Sequence, residues 1–232
     1  MQASTNNGCG ARISAIIPAR NEERSLEDCL RALSGAGLAE IIVADGGSRD
    51  RTCEVAERHG ATIVFAEAGR ARQMNAAAAM ARGEYLLCVH ADTIVPAGFA
   101  RAVGETLANE QVALGAFTLR IASDRPPFRW IERLVDWRSR YLDLPYGDQA
   151  LFFRRAAFEA VGGYPDLAVM EDYELVRRLR RHGRVVVVPE VVVTSARRWL
   201  ERGVLRTTAL NQVCLFGHLL GVPAKHLARW RG

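Results

Sequence analysis

Four continuous apolar runs divide the first half of this chain: Ile13 to Pro18, Ile41 to Ala44, Thr62 to Phe65 and Tyr85 to Val89. Segments of helical spacing separate them: Glu22 to Leu33, Arg51 to His59 and Arg70 to Arg82. Strands with one wet face would alternate polar with apolar, and these do not. Runs this apolar are buried on both faces, as parallel strands joined by helical crossovers are. The alternation therefore predicts a doubly wound α/β layer.

In such a layer ligands bind beyond the carboxyl ends of the strands. The polar residues gather where the apolar runs stop. "PARNE" (Pro18 to Glu22) follows the first run, "DGGSRD" (Asp45 to Asp50) the second, and "HAD" (His90 to Asp92) the fourth. Separate strand ends thus deliver Arg, Asn, Asp and His to one rim.

The second half is less regular. Leu114 to Ile121 reads as a strand, and Ala150 to Phe153 as a short one after the polar "YGDQ" turn. Phe128 to Leu142 is helical, with Trp130, Leu134, Trp137 and Tyr141 on one stripe. That stripe is expected to pack on the sheet, and the competing reading is a face for a membrane surface. Glu171 to Arg181 is a helix that opens with acids and closes with bases, as the macrodipole favours. Val185 to Val188 and Val191 to Val193 read as two short strands around Pro189. No repeat or linker intervenes, so one domain is expected over 12–232, behind a disordered tail at 1–11.

The net charge of +5 is unevenly spread, because eleven Arg and one Lys face two acids from Arg177 to Gly232. An anionic partner and a merely solvated basic face both suit that bias. Five cysteines, none spaced as C-x-x-C, argue against a disulfide framework or zinc knuckle and for a reducing cytoplasm. No stretch has the roughly 20 apolar residues a spanning helix needs, and the polar start is no secretory signal. A cytoplasmic protein follows, with peripheral contact at the inner face of a membrane left open. P-loop, G-x-G-x-x-G, H-E-x-x-H and G-x-S-x-G patterns are all missing, which disfavours ATPase, dinucleotide, zincin and serine-hydrolase chemistry.

What remains is a carboxylate and an imidazole at a strand end, a second acid cluster and many arginines. One carboxylate can hold Mg²⁺ or Mn²⁺ when water and substrate phosphate complete the shell. Imidazole suits Mn²⁺ better than Mg²⁺. "ISAIIPARNEERSLEDCLRAL", "IIVADGGSRDRT", "RARQMNAAAAMARGEYLLCVHADTIVP", "ALFFRRAAFEAVGGYPDLAVMEDYELVRRLRRHGR" and "RRW" resemble, in order, the motifs of family 2 glycosyltransferases. The likeness runs from Arg12 to Trp199 and looks closest to the radical-SAM- and selenodomain-associated bacterial branch. It implies the GT-A form of the α/β fold: a Rossmann-like, mostly parallel central sheet flanked by helices. Residues 12–112 would form a nucleotide-binding half, 113–199 an acceptor and catalytic half, and 200–232 a basic helical segment.

The implied activity is inverting transfer of a sugar from a nucleoside diphosphate, a UDP-sugar by analogy, to a hydroxyl acceptor, lipid or small molecule, with Mn²⁺ or Mg²⁺. Nucleic acid is not an expected partner. Pro18, Arg20 and Glu22 would line the nucleoside pocket, Asp45 would face the base, and Arg72 would lie near base or diphosphate. Ala91 and Asp92 would meet the donor, with Asp92 as the metal-binding acid of the D-x-D motif. His90 replaces that motif's first acid and is the uncertain second ligand. Gly46 replaces the second acid of the family's D-D-G-S segment. Glu171 and Asp172 match the E-D motif, whose Asp is the general base. Asp148, Gln149 and Trp199 would serve the acceptor, and Arg198 the diphosphate, although Ser195 stands where the Q-x-x-R-W motif has Gln. A nucleotidyltransferase on a similar sheet, and a degenerate transferase that binds nucleotide without catalysis, are the competing readings.

Overall fold

The structure, a computed structural model, describes residues 12–231. Residues 1–11, expected as a disordered tail, and Gly232 lie outside the described residues. The first half runs β1 (Ile13–Ala19), α1 (Leu26–Leu33), β2 (Glu40–Asp45), α2 (Thr52–Arg58), β3 (Thr62–Phe65), α3 (Arg70–Met80) and β4 (Tyr85–Cys88). Parallel pairing joins β3 to β2, β2 to β1 and β1 to β4. Double burial explains the unbroken apolar runs of β1, β2 and β4, whereas β3 lies at the sheet edge, only partly buried, with Phe65 exposed. Ile13, Ala15 and Ile17 pack into the core on one face of the sheet, and Ile16 into the core on the other. In β4 the same division sends Tyr85 and Leu87 one way and Leu86 and Cys88 the other.

The chain continues through β5 (Thr93–Ile94), α4 (Phe99–Ala108), β6 (Val112–Ala122), α5 (Pro126–Tyr141), a single 3₁₀ turn at Gly147–Gln149, β7 (Phe152–Arg154) and α6 (Arg155–Ala160). It then forms α7 (Glu171–Leu179), β8 (Arg184–Ser195), α8 (Arg197–Arg202), α9 (Val204–Leu219) and α10 (Ala224–Arg231). One eight-stranded sheet has the order β3-β2-β1-β4-β7-β6-β8-β5. β7 runs antiparallel to both neighbours, while β6 and β8 are parallel. The result is the expected α/β architecture: a mostly parallel sheet, helices on both faces, one domain.

Two readings of the second half need correction. The valine strands around Pro189 are one strand, β8. Phe117 pairs with Val188 and the next residue, Thr118, with Val191, so Pro189 and Glu190 bulge out of the ladder. A bulge accommodates proline because it needs no donor at that position. The stripe on α5 does not pack on the sheet. Trp130, Leu134, Trp137 and Tyr141 are all exposed, while Phe128 is fully buried and Ile131 and Val135 pack against the core. The helix carries two apolar stripes, and its period does not say which one faces inward.

A third, smaller cluster seats the C-terminal helices. Cys214 of α9 and Leu227 of α10 pack with Val169, Met170 and Tyr173 at the start of α7. All described cysteines are free thiols. Among the described residues no helix is long and apolar enough to cross a membrane.

Candidate active site

β1 and β4 are neighbours in register, Ile16 against Cys88, so the segments after them emerge side by side. That places Pro18 to Glu22 next to His90, Ala91 and Asp92. A third strand end joins them where the Ser195 amide donates to the Asp92 carbonyl at 3.1 Å. The chain then turns into α8, and Arg197 reaches back to grip both carboxylate oxygens of Glu22 at 2.9 and 2.8 Å. Together these ends form the floor of a cavity of about 440 Å³.

The opposite wall comes from the 3₁₀ turn and α7. Met170 precedes α7 at φ +69°, a left-handed conformation that costs a non-glycine residue about 1 kcal/mol. Strain of this kind gathers at functional sites. Beyond it the two acids part. Asp172 lines the cavity, while Glu171, 2% exposed, pairs behind the wall with Arg70 at 2.8 Å. Asp172 Oδ2 accepts the Gly147 amide at 2.9 Å and Oδ1 accepts the Tyr173 amide at 2.8 Å. Gly147 has no room for a side chain, since a Cβ there would stand 2.9 Å from His90 Nε2 and 3.3 Å from Asp172 Oδ2.

Of the residues singled out in the sequence, the cavity gathers Pro18, Arg20, Glu22, His90, Ala91, Asp92, Asp148, Asp172, Arg198 and Trp199. Asp45, Arg72, Gln149 and Glu171 do not line it. Asp45 is buried and accepts the amides of Gly47 and Ser48 at 2.9 and 3.0 Å, holding its own turn. Gln149 is a fully buried strut that donates to the Phe117 carbonyl at 3.0 Å and accepts from Ser139 at 2.7 Å. Arg72 points outward to Glu67 and Asp166.

The arginine of α3 that lines the cavity is Arg70, which the sequence reading passed over. Residues two apart on a helix do not share a face, and residues three apart do. Gln73 lines the cavity with Arg70. Its amide donates to the carbonyls of Ala19 and Ala44, both at 2.8 Å, tying the ends of β1 and β2 together. A Cβ on Gly46 would meet that amide at 2.9 Å, so Gln73 fills the space beside the position where the resembling family has its second acid. Arg138, Arg197 and Tyr146, with Thr208 and Asn211 of α9, are among the lining residues that the motifs did not indicate.

Burial raises the Asp92 carboxyl above the ordinary carboxylate range, Glu22 adds to the rise, and Arg197 and Arg198 oppose it. Asp148 rises for the same first reason; Arg138 opposes the rise and Asp172 adds to it. The Arg138 guanidinium lies 3.5 Å from the centroid of the Tyr146 ring, and burial pushes the Tyr146 phenol up to about 12.

The donor set fits a divalent cation of one kind only. No group of three His, Cys, Asp or Glu side chains converges among the described residues. Mg²⁺ and Mn²⁺ need no cage of protein ligands when a substrate supplies phosphate oxygens, and Asp92 offers the one carboxylate required. His90 Nε2 lies 3.3 Å from Arg70 Nη1. Arginine only donates, so as a hydrogen bond this contact has Nε2 as the acceptor.

The family model described as glycosyl transferase family 2 matches residues 14–162. The undecaprenyl-phosphate 4-deoxy-4-formamido-L-arabinose transferase of Pseudomonas aeruginosa is 31% identical over 166 residues, 64% of this chain and 49% of that one. The chain thus spans about half the length of the curated relatives it matches first. Among solved structures, glucosyl-3-phosphoglycerate synthase of Mycobacterium tuberculosis, in complex with Mn²⁺, UDP-glucose and phosphoglyceric acid, superposes with a TM-score of 0.68 at 19% identity. That match covers 96% of this chain and 86% of the synthase. S. aureus TarS 1-349 in complex with UDP-GlcNAc gives a TM-score of 0.63 at 18% identity, covering 79% of this chain and 58% of TarS. Likeness at these identities establishes a shared fold.

Proposed function

The chain belongs to glycosyl transferase family 2, and from that premise we propose that it transfers a sugar from a UDP-sugar to a hydroxyl acceptor with inversion at the anomeric carbon. The observation that carries this reading is that Asp92 and Asp172 open into one cavity from different parts of the chain. One acid stands at the strand ends among arginines; the other is fixed by two backbone amides. The family's solved relatives named above hold UDP-sugars, one of them with Mn²⁺.

Residues 12–112 bind the nucleotide, with Pro18, Arg20 and Glu22 on the nucleoside and Ala91 and Asp92 at the diphosphate. Residues 113–199 present the acceptor, along Asp148 and Trp199. Asp172 takes the proton of the acceptor hydroxyl. The acceptor oxygen, relieved of that proton, forms a bond to the anomeric carbon while the bond from that carbon to the diphosphate oxygen breaks. The electron pair leaves with UDP, and displacement from the opposite face inverts the configuration. The carboxylate need only accept the proton late, so its fixed position matters more than its basicity. Arg70 and Arg198 stabilise charge building on the departing diphosphate. A divalent cation on Asp92, when bound, neutralises that same charge. Glu171 serves as the buried partner that positions Arg70.

Calorimetric titration with UDP, with Mn²⁺ and with chelator, tests the reading on wild type, Asp92→Ala and Asp172→Asn. Metal-dependent UDP binding that Asp92→Ala loses and Asp172→Asn keeps supports a transferase. Absence of nucleotide binding in the wild type overturns it. Retained transfer in Asp172→Asn removes that residue from the base role and leaves the donor site standing.

A further inference from the structure

Two helices that line the cavity each turn an apolar stripe away from it. On α5, Ile131 and Val135 line the cavity, while Trp130, Leu134, Trp137 and Tyr141 are 66%, 62%, 54% and 74% exposed. On α9, Thr208 and Asn211 line it, while Leu205, Val213 and Phe216, with Leu220 at the C-cap, recur at helical spacing and stand exposed, the last at 84%. Trp230 of α10 is exposed as well. Apolar residues scattered singly need no explanation, but stripes of this length mark a surface that something covers.

The charge around the stripes identifies the partner. From 203 to 230 the chain carries Arg206, Lys225 and Arg229 and no acid, while Glu201 and Arg202 line the cavity. On α5 the guanidinium of Arg133 lies 5.5 Å from the centroid of the Trp130 ring. A second copy docking face to face through α9 and α10 would bring these cations against their own kind. Residues 1–11 hold one large apolar side chain, Met1, too few to cover two helices. An anionic lipid surface satisfies both features. Trp and Tyr rings favour the boundary between headgroup and acyl chain, and Arg and Lys pair with lipid phosphates.

We infer that α5, α9 and α10 dock this protein in the plane of an anionic bilayer, with the Trp130–Tyr141 and Leu205–Leu220 stripes at the headgroup–acyl boundary beside the cavity. This contact is independent of the sugar-transfer reading, and its test does not use the reaction.

The test is co-flotation of the full chain with two kinds of vesicle, phosphatidylcholine alone and phosphatidylcholine mixed with phosphatidylglycerol. Binding is expected to the mixed vesicles only, and to fall sharply at 1 M salt, where the Debye length is about 3 Å. Trp130→Ser with Trp137→Ser, and separately Phe216→Ser with Leu220→Ser, should each lower the partition coefficient at least about tenfold. Near-UV circular dichroism checks that each variant stays folded, and the two pairs lie on different helices. No binding, equal binding to both vesicles, or binding that neither pair of substitutions weakens overturns the inference. A concentration-dependent dimer that the same substitutions dissociate, without vesicle binding, overturns it in favour of a second copy.

Discussion

Arg70 Nε stands 2.8 Å from Glu171 Oε1, in a contact that joins the first turn of α3 to the first turn of α7. Glu171 is 2% exposed, so its charge depends on protein partners, that guanidinium among them, rather than on water. The pair links the half of the sheet that carries Asp92 to the helix that carries Asp172. Removing the guanidinium leaves a buried carboxylate less compensated. Arg70→Ala is therefore expected to cost about 3–5 kcal/mol. Urea denaturation measures it. Arg70→Met with Glu171→Leu should recover most of the loss, because an apolar pair has no charge to desolvate. Equal loss in the single and double variants would show that the charge is not what the structure needs there.

Asp172 differs from its neighbour in what it can do. Its oxygens are oriented by two amides, yet the side chain still lines the cavity. Asp172→Asn keeps the shape and loses the proton acceptor. Transfer should fall at least about 100-fold. Donor affinity should change less than about twofold, as expected for a group acting in the transition state alone. Steady-state rates and nucleotide titration on the same preparation check both halves.

Gly46 and Gln73 form a steric pair. An added Cβ at 46 meets the Gln73 amide at 2.9 Å, and that amide holds the carbonyls of Ala19 and Ala44. Gly46→Asp should displace Gln73, freeing two buried acceptors at a cost of about 1–3 kcal/mol. Gln73→Ala in the same chain should make the aspartate cheaper, giving a coupling of about 1 kcal/mol in a double-mutant cycle. Additive losses would mean that Gln73 moves aside freely.

β1, β2 and β4 were legible because burial on both faces leaves no ambiguity in an apolar run, and the edge strand β3 was legible from its β-branched residues. β3 matches its expected bounds, and β1, β2 and β4 end within a residue or two of theirs. Strand order in turn placed Glu22, His90 and Asp92 at one rim. The motifs placed Asp172 there too, although it lies on a helix far along the chain. Failures came where one pattern allows two orientations. "RAR" offers two arginines on nearly opposite sides of α3, and spacing does not say that Arg70 faces in. α5 offers two apolar stripes, and Phe128, Ile131 and Val135 win the core over the larger Trp130 and Trp137. β5 is two residues long and owes its existence to pairing with Thr194 and Val193, which no local pattern encodes. Gln149 stands next to Asp148 in a polar turn, yet hydrogen bonding within the core consumes one and leaves the other on the cavity wall.

Asp148 makes the state of that wall dependent on pH. Its Oδ1 is shielded from solvent and has no hydrogen-bond partner among the described residues, and burial raises its carboxyl, with Arg138 pulling down and Asp172 pushing up. A carboxyl raised above its unfolded value of about 3.9 keeps its proton longer in the folded chain. Its contribution to stability is full below the unfolded value and is lost as pH rises through the folded one. Asp148→Asn removes the charge that causes the loss. The variant should therefore be more stable than wild type at neutral pH, and the gap should close by about pH 3, where both side chains are neutral. Thermal melts across that range decide it. A wild type that is the more stable form at neutral pH would mean that Arg138 and Arg70 outweigh the burial of the carboxylate.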